Sequence, residues 1–219
     1  MSDATAAITA YWDDAAASFD DEPDHGLRQE HTRAAWARLL RSWLPDAPAD
    51  VLDAGCGTGS LSLLLAEAAG HRVTGVDLAP HMVERAEAKL AAAGRAGRFL
   101  VGDAAAPPTG QGRYDAVLSR HLLWTLPDPH AALREWVARL NPGGRLVLVE
   151  GRWRATGEAG APYVAGAGSL PWQGGVTAGD LAAAVGPLVS TLHVEPLSGE
   201  AELWGGPVTD ERYALIART

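Results

Sequence analysis

One cysteine, Cys56, in 219 residues rules out an internal disulfide and a thiolate metal cage. It sits inside a glycine turn, where it reads as a small side chain that fits and not as a nucleophile. Lysine is nearly missing: Lys89 stands alone among 18 basic residues, and with so much alanine and glycine this points to a GC-rich bacterial coding sequence. No run of about 18 apolar residues occurs, which argues against a membrane span. The first residues lack the basic segment and apolar core of a secretory signal, so the expected location is the cytoplasm. No long basic cluster interrupts a formal net charge of −9. A field of that sign repels a phosphate backbone, and nucleic acid drops out as a substrate class. No compact His, Asp and Glu ligand set is apparent either, so no metal is expected. The length suits one domain with a substantial core, residues 1–219.

What is present centres on Val51-Leu52-Asp53-Ala54-Gly55-Cys56-Gly57-Thr58-Gly59. This reads as a buried strand running into a glycine turn, followed by a helix from Ser60 to Ala69 with Gly70 as its stop. Gly55, Gly57 and Gly59 let the backbone turn tightly and approach a ligand closely. Nicotinamide and flavin proteins use a similar turn with GxGxxG spacing to hold a pyrophosphate; here the spacing is GxGxG. Asp53 also precedes the first glycine by two residues, and a carboxylate there repels a diphosphate. It suits S-adenosylmethionine, which carries an ammonium and a sulfonium and no phosphate. Asp77 ends the next strand, Arg72 to Asp77, about 20 residues past the turn, where ribose hydroxyls are bound in such folds.

The segments VLDAGCGTGSLSLLLA, GVDLAPHMVERA, GDAAAPP, YDAVLSRHLLWTLPDP and LNPGGRLVLVE resemble, in order and spacing, the successive motifs of class I S-adenosylmethionine-dependent methyltransferases with a type 11/25-like domain. They cover roughly residues 49–150. YWDDAAASFDDEPDHGL, SRHLLWTLPDP and LWGGPVTDERY are similar to a group of small actinobacterial members. The resemblance implies a Rossmann-like α/β fold: a seven-stranded, mostly parallel sheet of order 3-2-1-4-5-7-6 with its last strand antiparallel, helices on both faces and an N-terminal helical lid. It implies S-adenosylmethionine as cofactor and S-adenosylhomocysteine as product. It gives Asp103 and Ala104 to the adenine ring and the backbone of Ser119 and Arg120 to the methionine end. Leu78 and Met82 join the cofactor wall, and Tyr11 and Phe19, with Trp12, cover it. The divisions expected are residues 1–48 as lid, 49–150 as cofactor-binding core, and 151–219 as substrate cover and C-terminal strands.

Along the chain, Trp36, Leu39, Leu40, Trp43 and Leu44 recur at helical spacing, predicting a one-sided helix over 27–44 ended by Pro45. Strands and helices then alternate: a helix from Pro80 to Ala93, strands from Arg98 to Val101 and from Tyr114 to Ser119, and a helix from Pro129 to Leu140. Asn141-Pro142-Gly143-Gly144 turns the chain into a fifth strand, Arg145 to Glu150. Residues 151–176 break this rhythm with Arg152, Trp153, Arg154, Tyr163, Trp172 and Gln173 among small residues, and so long a loop reads as a substrate cover. Thr177 caps a helix to Pro187, with Asp180 three residues on. Val189 to Leu197 and Arg212 to Ala217 look like further strands, separated by a loop holding Trp204.

Methyl transfer asks the protein chiefly to orient partners and exclude water, since the cofactor carries the difficult chemistry. His25 and His121 are the candidates for a base or a substrate hydrogen-bond partner, because imidazole titrates near neutrality. A solvated or purely structural histidine is the alternative for each. Trp12, Trp124, Trp153, Trp172 and Trp204, with His25 and His121, suit a flat ring, though any single tryptophan is more often core than ligand and the group carries the reading. The expected partner is a planar, (hetero)aromatic small molecule methylated at N, O or S, such as a secondary metabolite. A homodimer is admitted as an assembly state. The competing readings are a catalytically idle S-adenosylmethionine binder of the same fold and a nicotinamide oxidoreductase, which Asp53 disfavours. A thermal-shift panel separates them: S-adenosylmethionine and S-adenosylhomocysteine are expected to raise the melting temperature while NADH and NADPH leave it unmoved. The reverse pattern would return the turn to a dinucleotide.

Overall fold

The computed structural model describes residues 3–46, 48–68, 70–153, 162–164 and 166–219. Arg154 and the rest of 154–161, part of the expected substrate cover, lie outside the described residues, as does Ala69. The chain opens with α1 (Asp3–Ala15), a 3-10 turn (Phe19–Asp21), α2 (Pro23–Gly26) and α3 (Glu30–Trp43). There follow β1 (Asp50–Ala54), α4 (Ser60–Ala68), β2 (Arg72–Asp77), α5 (Pro80–Ala92), β3 (Arg98–Val101), β4 (Tyr114–Arg120), α6 (Pro129–Ala138) and β5 (Leu140–Arg152). The C-terminal part adds α7 (Ala178–Val185), β6 (Thr191–Pro196), α8 (Ala201–Trp204) and β7 (Glu211–Arg218). Among the described residues no helix is long and apolar enough to cross a membrane.

The strands form one sheet of order β3-β2-β1-β4-β5-β7-β6. Neighbours up to β5 are parallel, and β7 runs antiparallel to both β5 and β6. This is the order the family resemblance implies. Its physical basis is visible in β1, where Val51 and Leu52 are both fully buried because successive side chains leave a strand on opposite faces and both faces are covered by helices. Val51 packs with Trp36 and Leu40 of α3, Leu65 of α4 and Leu118 of β4. Leu52 packs with Leu133 and Trp136 of α6, Leu181 of α7 and Leu148 of β5. The indole N–H groups taken into these cores find acceptors: Trp36 Nε1 donates to the Leu203 carbonyl at 3.0 Å and Trp136 Nε1 to that of Ala104 at 2.7 Å. The connections diverge to either side of β1 and β4, and the crevice at their carboxyl ends is where such sheets bind ligands.

Some boundaries differ from the expected ones. The helix predicted from Leu27 begins at Glu30, because Leu27 takes a left-handed φ of 48° that ends α2, and its buried side chain anchors the turn. The helix predicted to reach Leu140 stops at Ala138, since Leu140 instead pairs with Tyr114 in the sheet. Arg145 is the next β5 residue to pair, with Ala116, so residues 141–144 bulge out between the two. Asn141 fixes the bulge by donating from Nδ2 to Asp115 Oδ1 at 2.8 Å. Trp204, expected in a loop, ends the short α8 and sits in the core, its Nε1 donating to the Leu197 carbonyl at 2.9 Å.

Glu150, near the end of β5, is fully buried. Its Oε1 accepts the backbone N–H of Leu122 at 3.0 Å and of Leu123 at 2.9 Å, fixing the exit from β4. Burial pushes its carboxyl up from 4.5 to about 8, against the pull of those two N–H groups. The folded state therefore holds this proton more tightly than the unfolded state. Its contribution to stability is full below about pH 4.5 and is lost as pH rises through about 8. Glu150→Gln is expected to remove that share. In chemical denaturation, the stability of the variant relative to wild type should climb between about pH 5 and pH 8, with a slope of at most about 1.4 kcal/mol per pH unit. A difference that does not change with pH would show that Glu150 is not protonated in the folded chain.

Candidate functional site

A cavity of about 360 Å³ opens at the carboxyl ends of β1, β2 and β4 beneath the N-terminal helices. Its floor is the glycine turn. Gly55 has φ 74°, and a Cβ there would come within 2.9 Å of the Leu122 side chain. The Gly57 N–H donates to Asp77 Oδ2 at 2.9 Å, which ties the turn to the end of β2.

Two carboxylates sit at this floor. Asp53 is buried, with Oδ2 accepting the Ser62 hydroxyl at 2.6 Å. Burial pushes its pKa from 3.8 up to about 6, opposed by the Ser62 bond and the charge of Arg120 and reinforced by Asp77. Asp77 also accepts the Ala79 N–H at 3.0 Å, and burial raises its pKa against the hydrogen bonds from Ala79, Gly57 and Leu78. Removal from water disfavours both anions. A ligand that brings positive charge and hydroxyl donors to this floor lowers that cost, whereas a diphosphate raises it. The donor set thus fits S-adenosylmethionine. Asp103 Oδ1 accepts the Ala105 N–H at 2.8 Å, which closes the turn after β3 and sets Asp103 and the buried Ala104 on the wall with Leu78 and Met82.

The N-terminal helices contribute Ile8, Trp12, Phe19 and His25. Asp20 accepts a hydrogen bond from the Thr58 hydroxyl and pairs with Lys89 Nζ at 2.9 Å, and Lys89 also donates to Ser60 Oγ at 2.7 Å. The Asp20 and Lys89 side chains are only 17% and 20% exposed, so this pair is shielded from solvent screening. The Arg28–Asp21 pair, at 65% and 63% exposure, contributes at most about 1 kcal/mol. The lone lysine of the chain thus joins the lid, the glycine turn and α5.

The acceptor end lies beyond β4. His121 takes a left-handed φ of 55° and is held by its N–H to the Val149 carbonyl at 2.9 Å and by Trp124 Nε1 donating to its own carbonyl at 2.7 Å. Its ring lies parallel to Trp204 at 5.9 Å and edge-on to Trp153 at 4.9 Å. Burial, with Arg120, Arg212 and His25 nearby, pushes its pKa well below 6.5. His25 stacks on Phe19 at 4.2 Å, and burial lowers its pKa too. Nε2 of His121 and Nδ1 of His25 are enclosed and have no hydrogen-bond partner among the described residues.

Most of the residues singled out from sequence converge on this cavity, but five do not line it. Tyr11 is 41% exposed and packs edge-on behind Trp12, because adjacent residues on a helix face different ways. Gly59 serves packing: a Cβ there would lie 2.8 Å from Ala86 Cβ, so it brings α4 against α5. Ser119 turns into the sheet, its Oγ donating to the Ala54 carbonyl at 3.0 Å. Trp172 packs against His130 at 5.2 Å. Trp204 forms a second layer behind His121. Sequence reasoning missed Asp24 and Arg212, which meet at 3.3 Å on the wall; their separation along the chain leaves no local signal. It also saw no compact metal-ligand set, yet ligand atoms of Asp24, His25 and His121 lie within 4.8 Å of one another. The lid, far from His121 in sequence, supplies two of the three.

Residues 51–144 match the model of a family described as a methyltransferase domain. The chain is 40% identical over 142 residues to the demethylmenaquinone methyltransferase of Thermus thermophilus, covering 64% of each chain. It is 36% identical over 149 residues to the ubiquinone biosynthesis O-methyltransferase of Xanthomonas axonopodis pv. citri, covering 67% of this chain and 58% of that one. It thus spans about three fifths of the length of these curated relatives. The fold matches that of magnesium protoporphyrin IX methyltransferase from Synechocystis PCC 6803 with a TM-score of 0.68 and 20% identity, covering 100% of this chain and 98% of that one.

If the N-terminal helices close the cavity, deleting residues 1–26 is expected to leave cooperative unfolding intact while weakening S-adenosylhomocysteine binding at least about tenfold, ~1.4 kcal/mol. Calorimetry giving unchanged affinity would remove the lid.

Proposed function

We propose that the chain, whose residues 51–144 match a methyltransferase domain, is a class I S-adenosylmethionine-dependent methyltransferase and that it methylates a nitrogen, oxygen or sulfur atom of a planar, (hetero)aromatic small molecule. The observation that carries this reading is the continuity of one cavity from the acids at the ends of β1, β2 and β3 to the aromatic and imidazole groups beyond β4. The relatives named for demethylmenaquinone and for ubiquinone biosynthesis support a ring-shaped acceptor. Residues 1–48 act as lid, 49–150 hold the cofactor, and 151–219 complete the acceptor side within a single domain.

Bound S-adenosylmethionine supplies a methyl group already activated by a sulfonium centre. The residues of the chain bind, orient and exclude water. Asp53 and Asp77 meet the cofactor's cationic and hydroxyl groups, Asp103 and Ala104 its adenine, and Leu78 and Met82 the apolar wall. Trp12 and Phe19 close the top, while Trp124 and Trp153 face the acceptor ring. His25 and His121 stand at its polar edge. Burial and the nearby Arg120, Arg212 and His25 disfavour the charged form of His121, so its imidazole stands at the acceptor edge as a neutral hydrogen-bond partner and not as a strong base. Positioning of this kind contributes up to about 7–11 kcal/mol in model systems.

Incubation with methyl-labelled S-adenosylmethionine and a metabolite extract is expected to give a labelled small molecule. Asp53→Asn keeps the shape of the side chain without its charge, and is expected to weaken cofactor binding at least about tenfold. Tight cofactor binding with no labelled product would leave an idle binder, and undiminished affinity in the variant would remove Asp53 from the site.

A further inference from the structure

Taking a guanidinium out of water is costly unless another charge answers it. Arg212 is answered twice, by Asp210 at 3.0 Å and by Asp24 at 3.3 Å. Arg120, on the same cavity wall, is not. Among the described residues no carboxylate lies within ion-pair distance of it. Its hydrogen bond runs from Nη1 to the Asp24 carbonyl at 2.6 Å, and one face lies over Trp36 at 5.1 Å. The Asp24 carboxylate, already paired with Arg212, and Asp53, itself pushed towards the neutral form, act on it only from beyond ion-pair distance. A guanidinium has several N–H donors in a planar fork suited to carboxylate and oxyanion geometry, and among the described residues the one hydrogen bond Arg120 makes uses Nη1 alone. Beside it stand the two imidazoles whose Nε2 (His121) and Nδ1 (His25) are enclosed without partners. A neutral imidazole offers one donor and one acceptor. The same arginines disfavour a metal cation among Asp24, His25 and His121, since two guanidiniums flank that cluster.

We infer that Arg120, with His25 and His121, forms a subsite for an anionic oxygen on the aromatic acceptor, either a ring carboxylate or an ionised ring hydroxyl. This rests on the methyltransferase reading and narrows its substrate class. The flat faces come from Trp124 and Trp153, and the charge from the edge where Arg120 lies. An ionised hydroxyl held there needs no strong base, which agrees with imidazoles that bind protons weakly.

The test uses the full chain saturated with S-adenosylhomocysteine, with saturation verified separately for each variant. Failure to bind S-adenosylhomocysteine overturns the methyltransferase reading and the subsite with it; success there followed by failure below overturns the subsite alone. Two matched pairs serve as probes in calorimetry: para-hydroxybenzoate against para-hydroxybenzamide, and para-nitrophenol against para-nitroanisole. At least one anion should bind about tenfold more tightly than its neutral twin or better, and which pair shows the preference identifies carboxylate or ionised hydroxyl. For a hydroxyl subsite, the yellow colour of para-nitrophenol should also persist to lower pH when bound. Arg120→Met should abolish the preference and Arg120→Lys should keep part of it; should the methionine variant not fold, the lysine variant and the wild-type pairs decide. Twins that bind alike or not at all, or a preference that survives in Arg120→Met, overturn the subsite. So does binding that requires added zinc and vanishes with a chelator, which would assign Asp24, His25 and His121 to a metal.

Discussion

Two carboxylates on adjacent parallel strands, Asp53 on β1 and Asp77 on β2, share one water-poor floor. Each is pushed towards neutrality by burial, and Asp77 pushes Asp53 further. Among the described residues neither has a cation at ion-pair distance, Arg120 acting on Asp53 only from farther off: their hydrogen-bond partners include the Ser62 hydroxyl and the backbone N–H groups of Gly57 and Ala79. Hydrogen bonds of this sort offset part of the desolvation cost and leave the rest. The remainder is the reason the cavity favours a cationic, hydroxyl-rich ligand, and in the glycine turn the Gly57 N–H is spent on Asp77 while those of Gly55 and Cys56 go to the Val76 carbonyl.

Everything above that floor works to enclose it. The N-terminal segment reaches the turn through Asp20, Thr58 and Lys89, a network shielded from solvent, and through aromatic packing of Trp12 and Phe19. On the opposite side, Glu150 receives the N–H groups of Leu122 and Leu123, so the chain leaves β4 in a tight turn that places His121 in the left-handed region. Such a conformation is uncommon for a non-glycine residue and persists only where the surroundings fix it. Here the fixing partners are Val149, Trp124 and Trp204. A buried acid in one strand thereby sets the direction of an imidazole in the loop beside it.

Charge is distributed unevenly between the two ends of the cavity. Among the described residues the floor's carboxylates have no cation at ion-pair distance, while at the other end Asp24 pairs with Arg212 and Arg120 bonds only to the Asp24 carbonyl.

The alternation of strands and helices, the glycine turn and the acids Asp53, Asp77 and Asp103 at strand ends were legible beforehand, because each depends on residues close in sequence: a strand period, a turn that needs glycine, an acid at a strand end. The family resemblance supplied the strand order and the antiparallel insertion of β7, which no local pattern encodes. What sequence alone did not settle was which way a side chain in an irregular segment faces. Trp172 and Trp204 have the same chemistry as Trp124 and Trp153, yet the first pair packs away from the cavity and the second lines it. Ser119 and Arg120 are neighbours in β4, and strand alternation sends one into the sheet and the other to the wall. Asp24, Arg120, His121 and Arg212 come from the lid, the β4 exit and β7, and only the folded chain brings them together. Their meeting depends on packing between distant elements, and the charge imbalance at Arg120 exists only once that packing has excluded water.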